Sequence, residues 1–169
     1  MRLLIKNKWL SFGGSSSITD VNGNQIFIVK GKVFTFTKKK FLYDMNENLL
    51  YIIRNKYWHL FTRRAFIIDP QGSIICRLNK KVFTFKNKLW IDEYRDRIAI
   101  DGNIFNLDYK ILRNGQEIGR LSRSVTWGDV ILNKDTFELE IEDEKDAAFI
   151  SAIVIALDNI FDKQAGSHA

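Results

Sequence analysis

A mainly β fold, a closed antiparallel barrel wound round one apolar helix at the C-terminal end, is the class that this 169-residue sequence predicts. Three observations predict it. A turn-and-strand unit recurs about every twenty-four residues, Asx and glycine turn signals separate the strands, and Ala147–Leu157 runs for eleven residues with no charge and a single hydroxyl. One proline and thirteen phenylalanines, among many Ile, Val, Thr and Tyr, suit a pleated half-buried surface. With 46% hydrophobic residues the chain can bury the core of one domain.

The repeat comes first along the chain. LLIKNKWLSF (3–12), FIVKGKVFTF (27–36), YIIRNKYWHL (51–60) and CRLNKKVFTF (76–85) each read as an apolar run, a basic hinge and a strict alternation. Their starts are spaced by 24, 24 and 25 residues, from 3 to 27, 51 and 76. DVNGNQ (20–25), DMNENL (44–49) and DPQGSI (69–74) sit at or just before the apolar runs. Asn and Gly tolerate the positive φ of tight hairpins, and Asp bonds its own backbone two residues on. Asp101-Gly102-Asn103 and Asn114-Gly115 are read as further hairpin turns, and 113–127 as a degraded copy of the unit.

Alternation after each hinge sorts residues onto two faces. Leu10, Phe12, Phe34, Phe36, Trp58, Leu60, Phe83 and Phe85 are assigned to the interior. Trp9, Ser11, Val33, Thr35, Tyr57, His59, Val82 and Thr84 are assigned to the exterior. An open solenoid of so few repeats would leave sheet edges bare and the helix unhoused, whereas closure removes the edges.

The last segment is read as a helix over about 144–161, with Asp143 as N-cap and Glu144 and Asp146 in the first turn, where the dipole favours anions. Phe149, Ile150, Ile153, Val154, Leu157 and Phe161 surround its axis, leaving only a thin alanine strip. A helix apolar all round belongs in a membrane or inside a protein. A span needs about twenty apolar residues, so the interior is expected and no transmembrane span. A single domain over 1–165 follows, with 166–169 a tail or cloning scar.

The net charge of +6 comes from short clusters, KKK at 38–40, RR at 63–64 and KK at 80–81. Lys6 and Lys8 interrupt the apolar opening before a signal core forms, and Cys76 stands alone, so a cytoplasmic location without disulfides is expected. Zinc would want several Cys or His ligands, so no metal and no cofactor are expected. His59 and Cys76 are read as an ordinary surface residue and a packing residue, which leaves no catalytic constellation and a non-enzyme. The run FELEIEDEKD (137–146) reads as a strand with outward carboxylates rather than a calcium loop.

The basic hinges are the candidate binding residues: Lys30, Lys32, Arg54, Lys56, Lys80 and Lys81. If each repeat holds an even number of strands, they gather at one barrel end and form a cationic rim. Such a rim suits an anionic membrane surface or a phosphorylated small molecule. Exterior aromatics such as Trp9, Tyr57 and Trp90 offer the alternative of a structural or protein-interaction module. No nucleic-acid motif is present, which argues against that partner.

The unit DxxGxxhxxhKxKhhxh, the repeated VFTF with KNKW, KGKV and RNKY, and the final apolar helix together resemble the LURP-one-related family, and most of all its small bacterial single-domain members. That resemblance implies a barrel of twelve strands round the helix, similar to the tubby C-terminal domain and the phospholipid scramblases. It implies no established activity. Tubby-like domains bind phosphoinositides and scramblases bind calcium, but neither set of binding residues aligns with this chain.

Overall fold

A computed structural model describes residues 1–6, 15–31, 37–56, 62–81, 89–104, 108–123 and 136–161. Twelve strands form one antiparallel sheet: β1 (Arg2–Lys6), β2 (Ser15–Asp20), β3 (Gln25–Gly31), β4 (Lys40–Tyr43), β5 (Leu49–Asn55), β6 (Thr62–Ile68), β7 (Ile74–Lys81), β8 (Leu89–Asp92), β9 (Ile98–Asn103), β10 (Asp108–Arg113), β11 (Gln116–Arg123) and β12 (Thr136–Ile141). The order is β8-β7-β6-β5-β4-β3-β2-β1-β12-β11-β10-β9. β8 and β9 pack beside each other across the seam, so the barrel is nearly closed.

Local chemistry explains the hairpins. Asp20 Oδ1 accepts from the backbone N–H groups of Asn22 (2.9 Å) and Asn24 (2.8 Å), and its Oδ2 accepts from Asn24 Nδ2 at 2.8 Å. Asp44 repeats the arrangement with Asn46 and Asn48 at 2.9, 2.8 and 2.8 Å. Gly23 (φ +86°) and Gly72 (φ +93°) take the left-handed position that each turn requires, and in the second turn Glu47 (φ 60°) takes it. Asn114 and Gly115 turn β10 into β11, as their turn signal predicts.

The bonds from the Asn24 and Asn48 side chains, helped by backbone N–H groups, hold the Asp20 and Asp44 carboxyls below the ordinary value of 3.8. A carboxyl depressed in the folded state stabilises fully above its unfolded value and loses that contribution as pH falls through the folded one. The thermal midpoint is therefore expected to fall between pH 6 and about pH 3, and Asp20→Asn with Asp44→Asn should flatten that fall. An acid limb of equal steepness in the double variant would contradict this assignment.

The predicted turn at Asp101-Gly102-Asn103 is corrected. These residues end β9, where Asn103 pairs with Asp108 and Gly102 with Tyr109, so the connection falls at 104–107. Gly102 serves a close approach instead: a Cβ on it would lie 2.7 Å from Asp108 O, at a φ of +124°. The interior and exterior assignments at 9–12, 33–36, 57–60 and 82–85 lie outside the described residues.

Inward-facing Leu3, Ile5, Ile18, Leu42, Ile53, Ile67, Leu78, Ile111, Leu121 and Leu139 line the interior. In β12, Phe137, Leu139 and Ile141 point in while Glu138 and Glu140 face out, the latter two 3.4 and 3.5 Å from Arg2 Nε. Asp143 caps a 3-10 turn, Glu144–Asp146, by accepting from Lys145 N at 3.1 Å. Helix α1 (Ala147–Phe161) then runs through the barrel, leaning on β5 and β6, with every residue from Phe149 to Leu157 buried. No helix among the described residues is long and apolar enough to cross a membrane.

Candidate anion-binding face at the hinge end of the barrel

Each repeat supplies two strands, so β1, β3, β5 and β7 run in the same direction and their C-terminal ends share one end of the barrel. The even count brings the basic hinges together. The starts of β4 and β6 arrive at the same end, adding Lys38, Lys39, Lys40, Arg63 and Arg64. At the opposite end lie the hairpin turns of Asp20, Asp44 and Asp69, and the acidic approach to α1 at Glu142–Asp146.

The hinge end divides by side-chain direction. Four donors share the inward parity of their strands and close over the C-terminal end of α1, where the dipole is negative and carbonyls lack helical partners. Asn55 Nδ2 donates to Asn159 O at 3.0 Å, and Arg63 Nη1 donates to Ile160 O at 3.3 Å. Lys40 Nζ lies 3.3 Å from Asp158 Oδ2, and Lys80 Nζ stands 3.9 Å above the Phe161 ring. Asn159 Nδ2 returns a bond to Lys38 O at 3.1 Å. Lys80, a candidate binding residue, shares Leu78's inward side, with its ammonium over the Phe161 ring at the helix end.

The outward set forms a lattice on β5–β8. One cross-strand row reads Arg54, Phe66, Arg77, Asp92, and the next, closer to the hinge end, reads Arg64, Asn79, Trp90. Lys56 flanks the second row, its backbone N–H bonding Arg64 O at 3.0 Å, and Lys81 lies beyond Asn79 on the same strand face. The Arg54 and Arg77 guanidinium carbons stand 5.1 and 5.7 Å from the Phe66 ring centre and roof it, which explains why an outward phenylalanine is only 8% exposed. Arg77 has Asp92 and Glu93 as counter-charges.

Arg54, Lys56, Arg64 and Lys81 have no carboxylate within ion-pair distance among the described residues. Neighbouring strands lie about 4.8 Å apart, so these cations repel one another across the face unless an anion joins them. Lys30 stands away from this group, its ammonium 4.8 Å above the Tyr43 ring and 3.4 Å from Glu47 Oε1. Lys32 lies outside the described residues. Arg64 escaped the sequence reading as a site residue although RR at 63–64 was visible; only the register of β5, β6 and β7 seats it beside Lys56 and Lys81.

Cys76 is buried, and burial, with the charges of Asp92 and Glu93, pushes its thiol up to about 12, which fits packing rather than nucleophilic chemistry. His59 lies outside the described residues. Among the described residues no three His, Cys, Asp or Glu side chains converge as metal ligands.

A family model described as LURP-one-related matches residues 1–158. An X-ray structure of a protein from Arabidopsis thaliana superposes with a TM-score of 0.62 at 21% sequence identity, covering 94% of this chain and 90% of that one. At that identity the likeness is one of fold. A search of curated proteins returns no match.

Proposed function

Because the chain belongs to the LURP-one-related family, whose description names no reaction, we propose that it is a non-enzymatic binding module for phosphate-bearing anions, with Arg54, Lys56, Arg64 and Lys81 as the contact residues. The observation that carries this reading is the gathering, on one outward sheet face near the hinge end, of those cations that have no carboxylate within ion-pair distance among the described residues. A phosphate placed there gains charge-assisted hydrogen bonds from arginine and relieves the repulsion. The shared chemistry is a phosphate ester, carried by a lipid headgroup or by a free metabolite in the cytoplasm.

Sedimentation with phosphatidylcholine vesicles containing anionic phosphoinositide, at low and high salt, separates the two sources when soluble inositol polyphosphate is added. Binding should weaken with salt. The combined variant Lys56→Glu, Arg64→Glu, Lys81→Glu should lose about 1 kcal/mol or more per replaced residue. Lipid as the source requires vesicle binding, and a free phosphate as the source requires binding of the inositol polyphosphate alone. No binding to either, or none lost in the variant, contradicts the proposal.

A second reading, a protein-interaction module, draws on Val21, Met45 and Ile74, which stay exposed at the hairpin end. A partner held there would be lost with Met45→Lys and would be indifferent to the three charge reversals.

A further inference from the structure

The phosphate-binding reading leaves Trp90 unexplained. It is 36% exposed on β8 and stands in the same cross-strand row as Arg64, with Asn79 between them. Among the described residues its ring joins no other ring and no cation, whereas Phe66 is roofed, Phe41 has Lys39 above it and Phe149 stacks on Tyr94. The indole, about a third exposed, thus stands beside cations that have no carboxylate within ion-pair distance among the described residues. Its strand position is about 10 Å from that of Arg64, two sheet spacings away, and Lys81 is its nearer diagonal neighbour.

The geometry points to a ligand that carries a planar ring beside its phosphates, that is, a nucleotide, with the base stacked on Trp90 and the phosphates on Lys81, Arg64 and Lys56. A sheet face with an exposed aromatic and unpaired basic side chains can hold a base without reading its identity, because every base offers a π face. Asn79 is 1% exposed and donates to Asp92 at 3.1 Å, so the floor between ring and cations is fixed before any ligand arrives. This inference rests on the phosphate reading above and adds the ring to it.

Calorimetry with ATP and with inorganic tripolyphosphate, at low salt without divalent cations, isolates the ring. Tripolyphosphate is at least as highly charged, so charge alone gives ATP no advantage. Stacking one base should make ATP bind roughly ten-fold tighter. Trp90→Ala should bring ATP to the tripolyphosphate level, Trp90→Phe should keep part of the preference, and Arg64→Glu with Lys81→Glu should weaken both ligands. Thymidine monophosphate against a ten-residue thymidine strand separates a free nucleotide from a single strand as the source; tighter binding of the monophosphate than of inorganic phosphate, or binding of the strand that weakens with Trp90→Ala, supports the inference.

Equal affinity of ATP and tripolyphosphate for the unmodified protein overturns the ring and leaves the phosphate reading intact. No binding of either ligand sinks the ring as well. If anionic vesicles bind, ATP does not, and Trp90→Ala abolishes the vesicle binding, the indole is a membrane anchor and the nucleotide inference is wrong.

Discussion

Ile153→Asp is expected to abolish cooperative folding. Ile153 is fully buried near the middle of α1, surrounded by residues that are themselves buried. An aspartate there is an unpaired charge in an apolar interior, a class of change that costs more than about 4–5 kcal/mol. Whole domains hold only about 5–15 kcal/mol in reserve. A graded series gives the control: Ile153→Val should cost about 0.5–1.5 kcal/mol and Ile153→Ala about 2–5 kcal/mol. Removing the chain from Ala147 onward should have the same outcome as the aspartate, because the inward side chains of the strands lose the surface they pack on. A sharp melt for either protein at the temperature of the unmodified chain would contradict a barrel organised round its helix.

The second large effect is expected at the closure over the helix end. Lys40 and Asp158 lie 3.3 Å apart with side chains 9% and 18% exposed, which makes them a largely desolvated pair. Lys40→Ala removes the ammonium that lies 3.3 Å from the Asp158 carboxylate at the negative end of α1, near the buried Tyr109, whose hydroxyl burial and the Asp158 charge together push upward. Losing one partner of such a pair costs about 3–5 kcal/mol, whereas replacing both by apolar residues of similar volume is often neutral. Lys40→Met with Asp158→Leu should therefore recover most of the stability that Lys40→Ala removes, read as denaturant midpoints in a double-mutant cycle. If the double variant is no better than Lys40→Ala alone, the pair is not the source of the effect.

The same closure divides the basic hinge residues between two faces of the sheet. The twenty-four-residue spacing placed the basic hinges at equivalent points of successive units, and a two-strand unit then puts them at one end. Each hinge is more than one residue wide, however, so it straddles both faces of its strand. Lys80 and Lys81 are adjacent in sequence, yet one reaches inward over the Phe161 ring and the other faces outward. Counting from Leu78 gives the parity; what the ammonium then meets depends on where Phe161 emerges, which spacing along a strand does not encode.

The helix and the Asx turns were legible because both are local. Eleven uncharged residues have no other place to go, and Asp20 and Asp44 close their turns with bonds to residues no more than four away. Gly102 shows the opposite case: its sequence reads as a turn, but contact with β10 makes it the end of a strand. The row from Arg64 through Asn79 to Trp90 joins three strands, so no window of sequence displays it. It follows only once the register of β6, β7 and β8 is fixed.

Amide hydrogen exchange read along Phe149–Leu157 in dilute buffer without detergent tests the central claim most directly, since those residues are all buried. A helix enclosed by the strands should exchange there only through global unfolding, at the free energy of the most protected sheet amides. Exchange on the time scale of an open peptide, with the sheet still protected, would show that the helix lies outside the barrel.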